Sequence, residues 1–294
     1  MGAGEHGESL LVREAGRARG RRWALRWLSA GSSGDHREQL RADLLDLACC
    51  ALPAIVLPAR FGVEEATGRG FLLRPYVDGA EIHLAARGAT PRQVLRLLAA
   101  SVEALSGLHR AGFYHGNLKP SNLIVPRGAL CARRPGVPRV VLCDAAWWRD
   151  GAEEARGRDL EALGKLFDPL LARGLGPGSE ERREPAGDLL RDLERVLGKL
   201  LSARSRRGNG GAEEILDDLR RLLGAGSARP LPAPDRFHGR GEELSQAAAH
   251  LAGQGPRLLA VSGEAGSGKS FLLRRLALEA QLLGHFTVSV QCYG

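Results

Sequence analysis

One stretch constrains this 294-residue chain more than any other: Gly224-Ala-Gly-Ser-Ala-Arg-Pro-Leu-Pro-Ala-Pro-Asp235. Its three prolines remove backbone donors and lock φ, and its glycines loosen what is left, so neither a helix nor a central strand can run through it. Whatever folds must fold on either side. The segment reads as an interdomain linker, with residues 1–223 before it and 236–294 after it.

The long arm divides again by pattern. Residues 1–78 carry short strand-like runs (Ser9–Val12, Trp23–Leu28, Phe71–Leu73) around one helical stretch near 36–49. Residues 79–223 are mostly helical, and 94–108 repeats apolar residues every three and four positions, as a buried helix does. Two similar stretches follow, at 187–203 and 212–223.

Several function classes fall away. No run approaches the ~18 apolar residues of a membrane span, so no membrane association is expected. The start is acidic and Gly-rich, unlike a signal peptide. Five cysteines (Cys49, Cys50, Cys131, Cys143, Cys292) sit in apolar runs without CxxC spacing. They are expected to be buried, reduced thiols, which implies a cytoplasmic protein. The net charge of +8 comes almost wholly from Arg, because only Lys119, Lys165, Lys199 and Lys269 are lysines. That bias matches a GC-rich genome. The basic run Arg17–Arg22 lacks interleaved aromatics and a recognition helix, so nucleic acid is not an expected partner. A basic DNA-binding regulator is the weakest of the functional readings.

After the linker, Gly263-Glu-Ala-Gly-Ser-Gly268-Lys269-Ser270 matches GxxxxGK(S/T) without a gap. An expected strand, 258–262, precedes it and an expected helix, 271–283, follows. Glycines at 263, 266 and 268 let backbone N–H groups converge on phosphate oxygens. The helix N-terminus favours an anion. Lys269 supplies a point charge for the β- and γ-phosphates, and Ser270 a hydroxyl for Mg²⁺. With Phe237-His-Gly-Arg-Gly-Glu-Glu-Leu244 upstream, residues 236–294 resemble the start of AAA-type signalling ATPases. The resemblance implies ATP binding at a Walker A loop. No Walker B carboxylate follows, so the unit is expected to be a truncated α/β P-loop NTPase.

A second pattern lies in the long arm. His115-Gly-Asn-Leu-Lys-Pro-Ser-Asn122-Leu-Ile-Val125, followed by Val140-Val-Leu-Cys-Asp144-Ala-Ala146, resembles the catalytic loop and the strand–DFG segment of bacterial Ser/Thr protein kinases. The rest of residues 1–223 falls into register with that family. Gly2, Gly4 and Gly7 stand at the glycine loop and Arg26 at the strand lysine. Asp43 stands near its acidic helix partner, and Phe71–Gly79 at the hinge, where Val77 N–H would meet adenine. Arg158-Asp159-Leu resembles the start of the family's helix F. The resemblance implies an α+β bilobal kinase-like fold: a β-rich N-lobe (1–78) and a helical C-lobe (79–223). It also implies ATP and Mg²⁺ as ligands, with Asn122 and Asp144 as its metal-facing residues, while Ser270 has that part in the phosphate loop.

The departures carry the functional expectation. Asn117 stands where the family has its catalytic Asp, and an amide has no useful basicity. Lys119 of the loop is retained. Gly116 replaces the Arg that reads activation-loop phosphorylation. Fourteen residues separate Asp144 from Asp159, too few for an activation segment of ordinary length. Asn122 either ligates a cation or caps the loop; Asp144 either ligates or bonds backbone N–H groups. His115 is expected to be structural, and the other histidines solvated or at helix ends. The resulting expectation is an ATP-binding signalling protein whose kinase-like domain is weak or inactive, coupled to a P-loop ATPase module. Its partners would be other signalling proteins or further domains of a longer chain. The alternative is an active Ser/Thr kinase.

Overall fold

The N-terminal glycines close a tight hairpin in the computed structural model: β1 (Ala3–Gly4) and β2 (Gly7–Arg13) pair antiparallel, with Gly4 opposite Gly7. The structure describes residues 3–4, 7–13, 20–28, 42–47, 50, 52–127, 140–145, 152–174, 186–203, 211–224, 240–251, 253, 258–264, 266–282, 285 and 287. Gly2, the linker beyond Gly224, Phe237–Gly239 and Ala146–Trp148 lie outside them. The chain groups into two units: residues 1–51, 57–76 and 235–294, and residues 52–56 and 77–234.

In the first unit, β2 pairs with β3 (Arg22–Trp27), β3 with β5 (Gly70–Pro75), and β4 (Arg60–Val63) closes the edge, all antiparallel. The sheet order is β1-β2-β3-β5-β4. Strand alternation sorts the side chains. Ala24 and Arg26 share a face with their partners Arg74 and Leu72, and Ala24 and Leu72 are buried. Trp23, Leu25 and Trp27 take the other face, where Trp27 meets Phe71 edge-on and Arg69 lies over the Trp27 ring. Helix α1 (42–47) buries Asp43, Leu44, Leu45 and Leu47.

The segment after the linker belongs to this unit. Leu272 and Leu276 of α8 (Lys269–Leu282) pack on Ala247 of α7 (Gly241–Leu251), with Leu244 and Val261 at the margin. The helix expected at 271–283 thus forms and begins two residues earlier. Residues 258–262 make no ladder among the described residues, and Leu258 is 79% exposed. An apolar run becomes a strand only when a neighbour takes its backbone groups.

The second unit carries the antiparallel sheet β6-β7-β8: Gly79–Glu81, Leu123–Pro126 and Val141–Leu142. A short α2 (Ile82–Ala85) follows β6. Its central helix α3 (Pro91–Arg110) starts with a reciprocal cap between Thr90 and Gln93 and with Pro at the first turn. Val94, Leu97, Leu98, Val102, Leu105 and Leu108 are all buried, as the three-and-four spacing predicts. Helix α4 (Ala152–Gly174) packs on α3 and on α5 (Ala186–Leu201). At Gly164 an added Cβ would lie 3.0 Å from Leu200 Cβ, so glycine sets how closely α4 and α5 approach. No described helix is long and apolar enough to cross a membrane, and Cys50 and Cys143 are buried free thiols. The other three cysteines lie outside the described residues.

Lys165 sits on the surface, paired with Glu161 one turn away. Lys199, by contrast, is a hub. Its Nζ lies 2.6 Å from Asp218 and 2.5 Å from Glu214 on α6 (Ala212–Leu222). Asp218 is only 4% exposed, and these two carboxylates, Asp218 first, raise the Lys199 pKa above its usual value. Lys199→Met removes the main partner of a buried charge. It is expected to cost about 2 kcal/mol in urea unfolding, part of the loss being taken up by Arg221, 3.2 Å from Asp218.

Candidate active-site loop

The apolar stripe of α4 recurs every four residues: Ala155, Asp159, Leu163, Phe167 and Leu171 are all at most 5% exposed. One of the five is a carboxylate. A buried charge must be satisfied by donors, and Asp159 takes three. Its Oδ2 accepts from His115 N–H at 2.7 Å and faces His109 Nε2 at 3.0 Å; its Oδ1 accepts from Gly116 N–H at 2.8 Å. Helix α4 thereby grips the loop that follows α3. Gly116 answers with φ +67°, a backbone that glycine adopts without strain and that aims two consecutive N–H groups at one carboxylate.

The loop is held from its other side by the end of β8. His115 is fully buried, and its Nε2–H donates to Cys143 C=O at 3.1 Å. Its Nδ1 accepts from Asn117 N–H at 3.3 Å, which requires the neutral ring. Burial pushes the His115 pKa down to about 4, outweighing the nearby Asp159 carboxylate, which acts the other way. His109, expected to be solvated or at a helix end, does sit in the last turn of α3 but is 5% exposed.

Within this frame the structure brings three expected site residues together. The Asn117 side-chain amide donates to Asp144 C=O at 3.4 Å, and Asn122 Nδ2 donates to Asn117 C=O at 2.7 Å. Asn122 sits in a 3-10 turn (Pro120–Asn122) whose own carbonyl accepts from Cys143 N–H. Asp144 has φ +54°, the only positive φ of a non-glycine among the described residues. That backbone costs about 1 kcal/mol and turns the chain sharply after β8. Lys119, at the head of the 3-10 turn, is exposed.

These donors suit a hard cation only as part of a larger shell. Asn122 spends its N–H₂ on the loop, and among the described residues nothing donates to its Oδ1. Among those residues, too, no cluster of three or more His, Cys, Asp or Glu could hold a metal. An amide oxygen and one carboxylate fit Mg²⁺ that takes the rest of its shell from phosphate and water.

The remaining candidates lie in the first unit, except Val77, which opens the hinge-side stretch of the second. Gly4 and Gly7 form the β1–β2 hairpin, Arg26 lies on the buried face of β3, and Asp43 is 6% exposed on α1. In the 263–270 loop, Gly266 and Gly268 have φ +82° and +84°. Lys269 Nζ folds back on the carbonyls of Gly263 (2.8 Å) and Glu264 (2.7 Å), and Ser270 lies in the first turn of α8. Arg240 donates to Ser267 C=O.

The fold is that of a protein kinase. The chain superposes on crystal structures of the Mycobacterium tuberculosis PknI kinase domain with TM-score 0.51, covering 76% of this chain and 93–94% of that one, at 22–23% identity. A stretch of 101 residues is 34% identical to the Bifidobacterium longum protein "Probable serine/threonine-protein kinase pknA2". The stretch makes up 32% of this chain and 13% of that protein. No protein-family model matches the chain. The chain thus has a protein-kinase fold, and a third of it is similar in sequence to part of a protein named as a Ser/Thr kinase.

Sequence reasoning matched Asp159 to the start of helix F without giving it a task. The available signal was a carboxylate on an otherwise apolar i, i+4 stripe. Asp159→Asn places an amide N–H₂ against donors and is expected to cost about 3 kcal/mol in chemical unfolding. His115 supplies a pH signature. The unfolded chain binds its proton near pH 6.5, whereas the folded chain does so only near 4. Stability contributed by the neutral ring is therefore complete above pH 6.5 and lost as pH falls toward 4, by about 3 kcal/mol in all. His115→Gln should be less stable at pH 7 yet show a flatter decline between pH 7 and 4, read from urea midpoints.

Proposed function

We propose that this chain is a nucleotide-binding signalling protein whose kinase-like domain binds Mg²⁺ and ATP but transfers phosphate weakly or not at all, coupled to a P-loop module that takes a triphosphate of its own. The observation that carries this reading is the Asn117 amide. It occupies the base position with its N–H₂ committed to the Asp144 carbonyl. A carboxylate there would set negative charge against that carbonyl oxygen and lose the bond. The loop is thus built around a residue that cannot accept the substrate hydroxyl's proton, and a positioned base contributes about 10²–10⁴-fold.

Nucleotide handling rests on other residues. Asn122 Oδ1 and the Asp144 carboxylate would hold Mg²⁺, which when bound draws charge from the phosphates. Lys119, Arg26, Val77 and the glycines of the β1–β2 hairpin would bind and orient the nucleotide. Arg26 at a lysine position is a planar fork, so its contact to the phosphates differs from that of an ammonium. The back-folded Lys269 and the left-handed glycines of the 263–270 loop support the Walker A reading. Other signalling proteins, or further domains of a longer chain, are the partners this reading calls for. The second reading, an active Ser/Thr kinase, is favoured by the retention of Lys119, Asn122 and Asp144 and by the name of the Bifidobacterium relative. Phosphoryl transfer depends mainly on positioning and charge.

The test uses the full chain. Mg²⁺ and ATP at a hundredfold excess over Kd should raise Tm by about 5 °C. Part of the rise should survive Lys269→Ala and vanish when Asp144→Asn is added. With radiolabelled ATP and generic protein substrates, the wild type should stay near background, and Asn117→Asp should raise transfer on the order of 10²-fold. Strong wild-type transfer abolished by Asn117→Ala would establish the second reading instead.

A further inference from the structure

Helix α8 starts at the phosphate loop and, midway along, meets the helix of the kinase-like sheet. Lys269 and Ser270 occupy its first turn, and two turns on, the Arg275 guanidinium bonds the Asp46 carboxylate of α1. The Arg275 side chain is 11% exposed and that of Asp46 36%, so the contact is shielded mainly on the arginine side. Helix α1 also carries buried Asp43, three residues before Asp46 and expected to partner Arg26. One helix therefore joins the Gly263–Ser270 loop to the acidic helix of the kinase-like sheet.

The joint is incompletely satisfied. Arg275 Nε is buried and has no acceptor among the described residues, although NH1 is held by Asp46. A buried guanidinium with one arm paired and another unpaired gains from any small shift that supplies the missing acceptor. The loop end has the same character: Ser267 Oγ is buried and unpartnered, while Lys269 Nζ is spent on loop carbonyls that it must release to meet a phosphate. Phosphate entry would draw Lys269 off those carbonyls at the start of α8, and the helix runs unbroken from there to Arg275.

We infer that the Gly263–Ser270 loop is an effector site for the kinase-like domain: a nucleoside triphosphate bound there repositions α1 through Arg275 and Asp46. The inference rests on the Walker A reading above and assigns that site a regulatory task. Linkage makes the effect reciprocal, so a change at α1 alters loop affinity by the same factor.

Amide hydrogen exchange on the full chain, with and without Mg²⁺ and ATP, tests it. Exchange in the peptide covering 42–47 should slow about fivefold in the wild type, the lower end of typical coupling. Asp144→Asn, which disables the kinase-like pocket, should leave that slowing intact. Arg275→Met should abolish it while the 263–270 peptide stays protected, and Arg275→Glu combined with Asp46→Arg should restore it. Protection of 42–47 that persists in Arg275→Met, or that disappears only in Asp144→Asn, overturns the inference. No protection at 263–270 in the wild type removes the Walker A reading and the inference together. Protection at 263–270 without any at 42–47 removes the inference alone.

Discussion

A single buried carboxylate organises the loop between α3 and β7. Asp159 is worth burying because three donors from two chain segments converge on it: the amides of His115 and Gly116 and the ring of His109. Their convergence pins the start of the loop to α4. Neutral His115 then pins it to β8 through Cys143, and Asn117 and Asn122 close it from within. The links to Asp159, His115 and Asn122 use donors or acceptors of buried side chains that would otherwise be unpaired.

That rigidity separates architecture from catalysis. A kinase-like loop needs its backbone path held, and here the path is held by backbone amides, one histidine and two asparagines. None of these side chains is a carboxylate. The fold of a kinase is therefore held here with an amide at position 117, which supplies a hydrogen bond that a carboxylate would not. In the proposed function, cation and phosphate binding would draw on Asn122, Asp144 and Lys119, which the loop leaves in place.

Much of this was legible in the residues. Gly116, Asn117, Lys119 and Asn122 lie within seven positions, so local order alone brought them together, and the helix–loop–strand context followed from periodicity. The three-and-four spacing of 94–108 marked the buried face of α3. Other features were not legible. Leu258–Ser262 has the composition of a strand but takes no ladder partner among the described residues, because pairing is a property of two segments. Lys199 looked like any lysine on a helix surface until α6 brought Asp218 and Glu214 against it.

The sequence by itself determined which residue types stand where: an amide at position 117, a gapless GxxxxGKS loop, and a Gly/Pro stretch that no helix crosses. These are matters of residue type and short-range order. Only the tertiary structure decided what the isolated charges do. Asp159 meets His115 across forty-four positions, and Arg275 meets Asp46 across 229. A charge states its need for a partner in the sequence, but burial and packing choose the partner.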